Sequence, residues 1–311
     1  MLKNIPIKTA IFTLGGAAAV IFLLLGAIQG GIFSVVIVAP YTNNLTLQPI
    51  VPKSTVELER LFDRAHYDWP LSQQQSVPPL LVQSLPGDFA EIDDTARKKA
   101  LFLRALLPLV LMENQKLHNQ RKLILQMLMQ RNFAPRPDSL VEQALDRLTR
   151  RYRIDQDIGV KKSLAKLLIR LDEIPPSLVL AQGVIESGWG SSRFALQGNS
   201  LFGEWTYQSN QGLAPLNRNE HEHHFVRAFP DIYASLRSYM NNLNTGKSYQ
   251  MFRIMRAEMR RKQQPLKSLE LATGLEKYST KGREYVDYVR KVIEANDLQE
   301  LDELSLAIQV Y

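Results

Sequence analysis

The residues best suited to chemistry lie in one apolar stretch, residues 178–190 (LVLAQGVIESGWG). Glu186 falls in the last turn of a predicted helix, where apolar burial and the negative end of the helix dipole both raise the pKa of a carboxyl group. A carboxyl that keeps its proton near neutral pH can protonate a glycosidic oxygen as a general acid. Gly188 ends the helix and leaves Trp189 beside the carboxyl, where its ring can stack on a sugar. A capped surface glutamate is the alternative interpretation.

The elements that must position these residues are predicted to be mostly helical. A long apolar-periodic segment, residues 97–130, follows the N-cap candidates Asp94 and Thr95, and a kink or break is expected near Pro108. Further helices are predicted at residues 139–151, 161–171, 177–187 and 285–295. Two strand patterns predict one small antiparallel hairpin, at residues 201–207 and 223–229. The predicted fold class is therefore α+β, mostly α.

The N-terminal 40 residues predict a membrane anchor. Between Lys8 and Lys53, 44 consecutive residues carry no Asp, Glu, Lys or Arg. Within them, residues 10–28 form an apolar run long enough to cross a hydrocarbon core of ~30 Å. Basic residues precede the run, which predicts a single-pass protein of the inner (cytoplasmic) membrane, with its N-terminus in the cytoplasm and the rest in the periplasm or cell exterior. A cleaved signal peptide is the alternative, and it exports the same residues.

Composition and hydrophobic pattern divide the chain into four predicted regions. Residues 1–40 form the cytoplasmic stub and transmembrane anchor. Seven of the sixteen prolines lie between residues 40 and 86, which disfavours long helices and predicts a Pro/Gln-rich linker over residues 41–95. A helical region at residues 96–170 is expected to pack on a catalytic domain at residues 171–300.

Composition also excludes several functional classes. The 311 residues include no cysteine, which rules out disulfide scaffolds, thiolate zinc sites and cysteine nucleophiles. A net charge of +7 suits contact with an acidic polymer or a membrane surface, but it is too weak to indicate nucleic acid. No phosphate loop or dinucleotide motif is present, so no cofactor is expected. Spacing places no third ligand beside His221 and His223, so no metal site is expected.

Residues 181–205, AQGVIESGWGSSRFALQGNSLFGEW, resemble the glucosaminidase family, glycoside hydrolase family 73, and more closely its Bax-like, membrane-anchored branch. The family reads roughly A-Q-x-x-x-E-S-x-W-G, a spacer, and N-x-L-F-G. Residues 278–293 (YSTKGREYVDYVRKVI) resemble its closing pattern of two tyrosines before a final helix. The resemblance covers residues 171–297. It implies a lysozyme-like catalytic domain that cleaves β-1,4 bonds after N-acetylglucosamine in peptidoglycan, with Glu186 as the general acid.

The resemblance further implies a second carboxylate on the hairpin that follows the L-F-G motif. Hydrolysis of a glycoside normally needs one, at ~5–5.5 Å from the acid for retention or ~6.5–9.5 Å for inversion. Glu220 and Glu222 are the first candidates, because a strand places both on one face, and Glu204 is a third. Solvated hairpin charges are the alternative interpretation for Glu220 and Glu222.

Aromatic and amide residues of the same motifs are the remaining site candidates. Tyr278 and Tyr285 are implied to hydrogen-bond the 2-acetamido group of the substrate or to stabilise the developing oxocarbenium ion, although ordinary helix packing would explain both. The predicted substrate-binding residues are Trp189, Asn199, Phe202 and Trp205.

A basic run lies on a predicted helix outside these motifs: Arg253, Arg256, Arg260, Arg261 and Lys262. A solvated helix face is the favoured interpretation. Contact with an acidic glycan–peptide mesh or with phospholipid headgroups is the alternative.

The sequence therefore predicts a membrane-anchored peptidoglycan hydrolase of the N-acetylglucosaminidase type. Two other functions stay open. A lytic transglycosylase would use Glu186 alone, first as acid and then as base, and would not need Glu220 or Glu222. A non-catalytic wall-binding scaffold would keep the sugar cleft and hold a partner with residues 97–170. A regulatory protein partner is expected for the hydrolase, because unchecked wall cleavage is dangerous to the cell.

Overall fold

A computed structural model of the chain describes residues 48–71, 76–130, 139–216 and 223–307. Within these ranges the helices are α1 (Thr55–Arg64), α2 (Thr95–Met129), α3 (Leu140–Arg151), α4 (Val160–Arg170), α5 (Pro176–Ser187), α6 (Arg193–Gly198), α7 (Ile232–Thr245), α8 (Gln250–Arg261), α9 (Ser268–Leu271) and α10 (Arg283–Ala295). The strands of the described part are β1 (Gln48–Ile50), β2 (Leu80–Val82), β3 (Trp205–Thr206), β4 (Gly212–Leu213) and β5 (Phe225–Arg227). The predicted α+β, mostly helical class is confirmed.

The central element of the core is α2. Its N-terminus is capped as predicted, because the Asp94 carboxylate accepts hydrogen bonds from the backbone N–H groups of Ala96 and Arg97. Every residue from 101 to 114 is buried, and the helix packs against α4, α5 and α7. The predicted break at Pro108 is wrong, since α2 continues through it. Packing of this segment against three helices outweighs the one backbone hydrogen bond that proline removes.

The described part of residues 41–95 is folded, in contrast to the extended linker that its prolines predict. β1 and β2 pair in parallel, and β2 and α1 both pack against α2. Leu58, Phe62 and Tyr67 are fully buried in the same hydrophobic core as α2. Pro49 lies within β1, and the other described prolines of this region lie between the short elements. These residues therefore belong to the compact unit that spans Thr46–Tyr311.

α5 carries Glu186 and begins and ends where the sequence predicts. Pro176 occupies its first turn, and Gly188 ends it in the left-handed conformation at φ 58° and ψ 53°. The side chains of residues 178–184 are buried, because α5 packs against α2, α10 and the turn Leu298–Leu301. The end of a buried helix therefore carries the candidate acid.

A small antiparallel sheet follows α6 in the chain. β5 is its central strand and pairs with both β3 and β4, in the registers Trp205↔Val226 and Gly212↔Arg227. The predicted hairpin of two strands is thus a sheet of three, because the polar stretch after β3 returns as β4 before the chain reaches β5.

The basic run on α8 divides into a buried part and a solvated part. Arg253 and Arg256 are 5% and 0% exposed, so the prediction of a solvated face is wrong for both. The Arg253 guanidinium donates to backbone carbonyls at the end of α7, and the Arg256 guanidinium donates to backbone carbonyls at the end of α4. Arg261 and Lys262 are exposed and pair with Glu258, as a solvated face requires.

None of the helices in the described ranges has the length and apolar character needed to cross a bilayer. The predicted anchor at residues 10–28 lies outside those ranges.

Candidate active site

Glu186 is a half-buried carboxyl group with one oxygen engaged and the other open. Its Oε1 accepts a hydrogen bond of 2.8 Å from the hydroxyl of Tyr285 on α10. Burial raises the pKa of Glu186, and the hydrogen bond from Tyr285 lowers it in part. Among the described residues, no donor reaches Oε2. The group is therefore an acid whose free oxygen can carry a transferable proton.

The free oxygen faces Gly203, which follows the Leu201–Phe202 pair. Gly203 has φ +63°, and a Cβ added there would lie 3.4 Å from Glu186 Oε2. The left-handed conformation favours glycine at this position. The backbone of Gly203 therefore lies next to the oxygen of Glu186 that no described donor reaches.

Tyrosine and phenylalanine rings pack behind the carboxyl group. Tyr278 stacks on Tyr285 with ring centroids 5.3 Å apart, and its hydroxyl donates to the backbone carbonyl of Phe202 at 2.9 Å. Phe202 is 2% exposed and stacks on Tyr239 of α7 at 4.0 Å. Tyr278 and Phe202 therefore connect the segment before Gly203 to α7 and α10.

Glu204 is the second carboxyl group that the structure describes near this site. The Ser238 hydroxyl donates to its Oε2 at 2.8 Å, and Arg227 lies 3.8 Å from the same oxygen. Burial raises the pKa of Glu204, whereas Ser238 and Arg227 lower it. The pKa of the Tyr249 phenol is raised by burial and by the charges of both Glu204 and Glu186. One phenol is therefore within electrostatic reach of both carboxyl groups.

Comparison of the sequence with known proteins shows the family of the chain. Residues 162–298 match the Glucosaminidase family, described as mannosyl-glycoprotein endo-beta-N-acetylglucosaminidase. The chain is 31% identical over 215 residues to "Protein bax" of Escherichia coli (strain K12), which covers 68% of this chain and 74% of the relative. The chain belongs to the glucosaminidase family. It is a Bax-like member, which confirms the resemblance carried by residues 181–205. No solved structure matches the chain significantly.

In this glucosaminidase-family protein, four sequence-predicted residues come together: Glu186, Tyr278, Tyr285 and Phe202. Glu220 and Glu222 lie outside the described residues. Glu204, the third candidate in the sequence, is the one whose surroundings are described. Glu220 and Glu222 stay predictions.

The predicted substrate-binding residues have different surroundings. The Trp189 ring meets Phe102 edge to face, and the Lys99 ammonium lies 4.9 Å from its centroid, so its two described ring contacts are with α2. The Asn199 amide donates to the backbone carbonyls that follow β5 and caps α6 in the left-handed conformation. Trp205 is 64% exposed and stacks on His224 at 4.2 Å. Of these residues, Trp205 presents the largest aromatic surface for a sugar.

Metal binding has no support in the described part of the glucosaminidase domain. There, no three His, Asp or Glu side chains gather in a way that could hold an ion. His224, which follows His223 in the sequence, stacks on Trp205.

Removing the Tyr285 hydroxyl is expected to shift the pH profile of activity. In Tyr285→Phe the ionised Glu186 loses its hydrogen bond, so its pKa rises and the protonated form persists to higher pH. A general acid must be protonated, so the fall in kcat/KM with rising pH should occur at higher pH than in the native enzyme. Tyr288→Phe, on the exposed side of α10, is the matched control and should leave the profile in place. An unchanged or lower-pH limb in Tyr285→Phe contradicts the assignment.

A methyl group at position 203 is expected to impair catalysis beyond its effect on backbone strain. Gly203→Ala places Cβ in contact with Glu186 Oε2, at 3.4 Å, and we expect kcat to fall by about tenfold, because the methyl group stands beside the oxygen that the substrate must approach closely. Gly159→Ala is the control, since Gly159 also has a positive φ, +80°, but no atom within 4 Å of an added Cβ. Equal losses of kcat in both variants would show that strain alone is responsible.

Proposed function

We propose that this protein is a peptidoglycan hydrolase that cleaves β-1,4 glycosidic bonds after N-acetylglucosamine, with Glu186 as the general acid. The observation that carries the proposal is the state of Glu186 within the family-matched residues 162–298. Its carboxyl is half-buried with a raised pKa, one oxygen accepts a hydrogen bond from Tyr285, and the other lies next to Gly203 and has no described donor.

In the proposed reaction, protonated Glu186 donates its proton from Oε2 to the glycosidic oxygen. The bond between the anomeric carbon and that oxygen breaks, and the leaving sugar departs with a new hydroxyl group. Positive charge develops on the remaining N-acetylglucosamine ring. A water molecule then forms the new bond to its anomeric carbon and gives up one proton, which returns to Glu186 through the carboxylates of the site or the solvent. Glu204 is the described candidate for the second carboxylate, because it follows Gly203 directly and shares the Tyr249 neighbour with Glu186.

The proposal includes a location for the enzyme. The uncharged run between Lys8 and Lys53 supports a single-pass anchor in the inner membrane, with the N-terminus in the cytoplasm. The catalytic domain would then act on the wall from the periplasm or the cell exterior.

Product analysis tests the proposed bond specificity. The full chain, in detergent, is incubated with purified peptidoglycan, and the released fragments are identified by mass spectrometry after reduction of their ends. Reducing N-acetylglucosamine ends are the expected result. Anhydro-muramyl ends would instead establish a lytic transglycosylase, which needs Glu186 but no second carboxylate. Binding to peptidoglycan without any product would establish a wall-binding scaffold.

A further inference from the structure

A directed chain of hydrogen bonds runs through the protein interior to Glu186. The hydroxyl of Tyr239 on α7 donates to Oε1 of Gln182, and Nε2 of Gln182 donates to the Tyr285 oxygen at 3.0 Å. The Tyr285 hydroxyl then donates to Glu186 Oε1 at 2.8 Å. Gln182 and Glu186 are four residues apart on α5 and therefore share one helix face. We call Tyr239, Gln182 and Tyr285 the relay.

The amide of Gln182 gives the relay its direction. An amide has an acceptor oxygen and a donor nitrogen, whereas each phenol has a single proton to donate. Tyr239 donates to the amide oxygen, so the amide nitrogen faces Tyr285 and donates to its oxygen. The hydroxyl proton of Tyr285 is therefore available for the hydrogen bond to Glu186. Gln182 is 0% exposed and Tyr239 is 1% exposed, so reversing the amide would leave buried groups without partners.

We propose that Tyr239 and Gln182 are positioning residues that act through Tyr285 to hold the catalytic proton on Oε2 of Glu186. This inference rests on the proposed role of Glu186 as the general acid. Because Oε1 accepts the hydrogen bond from Tyr285, the proton of the protonated carboxyl group lies on Oε2. That oxygen lies next to Gly203, and it is the oxygen that would meet the glycosidic oxygen of a substrate.

The titratable groups around Glu186 in the described ranges come from several elements. They are the phenols of the relay, Tyr278 stacked on Tyr285, Tyr249 in the turn Lys247–Tyr249, and Glu204 beside Gly203. Burial raises the pKa of all four tyrosines, so they stay protonated while Glu186 titrates. Glu204 also has a raised pKa and can titrate in the same range, so the test must separate the two carboxyl groups.

Tyr239→Phe is the decisive variant, because it changes the relay two hydrogen bonds away from Glu186. It keeps the ring that stacks on Phe202 and removes the hydroxyl that orients the amide. The Gln182 amide can then turn so that its oxygen accepts a hydrogen bond from the Tyr285 hydroxyl. The hydrogen bond from Tyr285 to ionised Glu186 becomes weaker as a result. The pKa of Glu186 should rise, to a position between those of the native protein and Tyr285→Phe.

The readout is the infrared carbonyl band of the protonated carboxyl, titrated with pH in the full chain in detergent. Subtracting the Glu186→Gln spectrum assigns the band to Glu186 and removes the contribution of Glu204. The double variant Tyr239→Phe/Tyr285→Phe should titrate like Tyr285→Phe alone, because the relay acts only through Tyr285. Tyr288→Phe is the control, as an exposed tyrosine on the same helix as Tyr285.

An unshifted Glu186 titration in Tyr239→Phe would overturn the inference. A double variant whose Glu186 pKa rises by the sum of the two single shifts would also overturn it. If Tyr239→Phe does not fold, Gln182→Met tests the same relay, because it removes the N–H group that polarises Tyr285 at similar side-chain volume. A smaller upward shift is expected there, and no shift would again overturn the relay. The infrared titration needs no substrate. If the native protein is inactive and the variants still shift the Glu186 titration as expected, the proposed function is refuted and the relay is not.

Discussion

Glu186→Gln is expected to lower the rate of peptidoglycan hydrolysis by about 10²–10⁴-fold, the usual contribution of a positioned general acid. The glutamine keeps the size of the side chain and can still accept the Tyr285 hydrogen bond through its oxygen. It has no acidic proton to give to the leaving group. The loss should therefore appear in kcat, whereas binding to peptidoglycan should persist. Release of soluble fragments from labelled peptidoglycan measures the rate.

The control for this prediction is Glu284→Gln, the same substitution at an exposed position in the first turn of α10. It should hydrolyse peptidoglycan at the native rate. A Glu186→Gln protein that stays folded and retains activity within about tenfold of the native enzyme would remove Glu186 from the proton-transfer step.

Arg256→Met is expected to lower the free energy of unfolding by about 1–3 kcal/mol, because it removes the donor to buried backbone carbonyls. The Asp172 carboxylate keeps Arg121 and Arg260 as partners. Arg256 donates to the backbone carbonyls of Asp172 at 3.2 Å and Glu173 at 3.0 Å, and to two more carbonyls at the end of α4. Its Nε lies 3.8 Å from the Asp172 carboxylate, which is 1% exposed. Methionine fills much of the same volume but leaves these oxygens with fewer donors. Urea denaturation measures the loss.

Arg261→Met provides the comparison for Arg256→Met. Arg261 lies on the same helix, is exposed, and pairs with Glu258, so its replacement should leave the unfolding midpoint unchanged. Equal midpoints for the two variants would mean that the contacts of Arg256 contribute little to stability. At low temperature, where the fold persists, Arg256→Met should keep its activity, because Arg256 contacts α4 rather than the residues around Glu186.

The bounds of α5 and the position of Glu186 at its end could be predicted because proline, glycine and apolar periodicity are local signals. The pairing of β1 with β2, within residues 48–92, could not be predicted in the same way. β1 and β2 have three residues each and pair across about thirty positions, so neither shows a periodicity of its own. Prolines between such short elements look the same in a sequence as prolines in an extended linker.

The buried state of Arg256 was partly visible in the sequence. It lies between Phe252 and Met259 at helical spacing, on the apolar face of α8. Its partners are backbone carbonyls at the end of α4, however, and side-chain patterns carry no information about carbonyls. The relay has a similar status: Gln182 and Glu186 share a face by their spacing, but Tyr239 and Tyr285 reach that face only through the packing of α7 and α10.

The most direct test of Glu186 as the general acid varies the leaving group of the substrate. The substrates are aryl β-glycosides of the N-acetylmuramyl-N-acetylglucosamine disaccharide, with phenols that range from poor leaving groups to dinitrophenol, which leaves without protonation. We predict that Glu186→Gln is strongly impaired on the poor leaving groups and approaches the native rate on the dinitrophenyl glycoside. An equal loss of rate across the whole series would contradict the account, because it would show that Glu186 does not protonate the leaving oxygen.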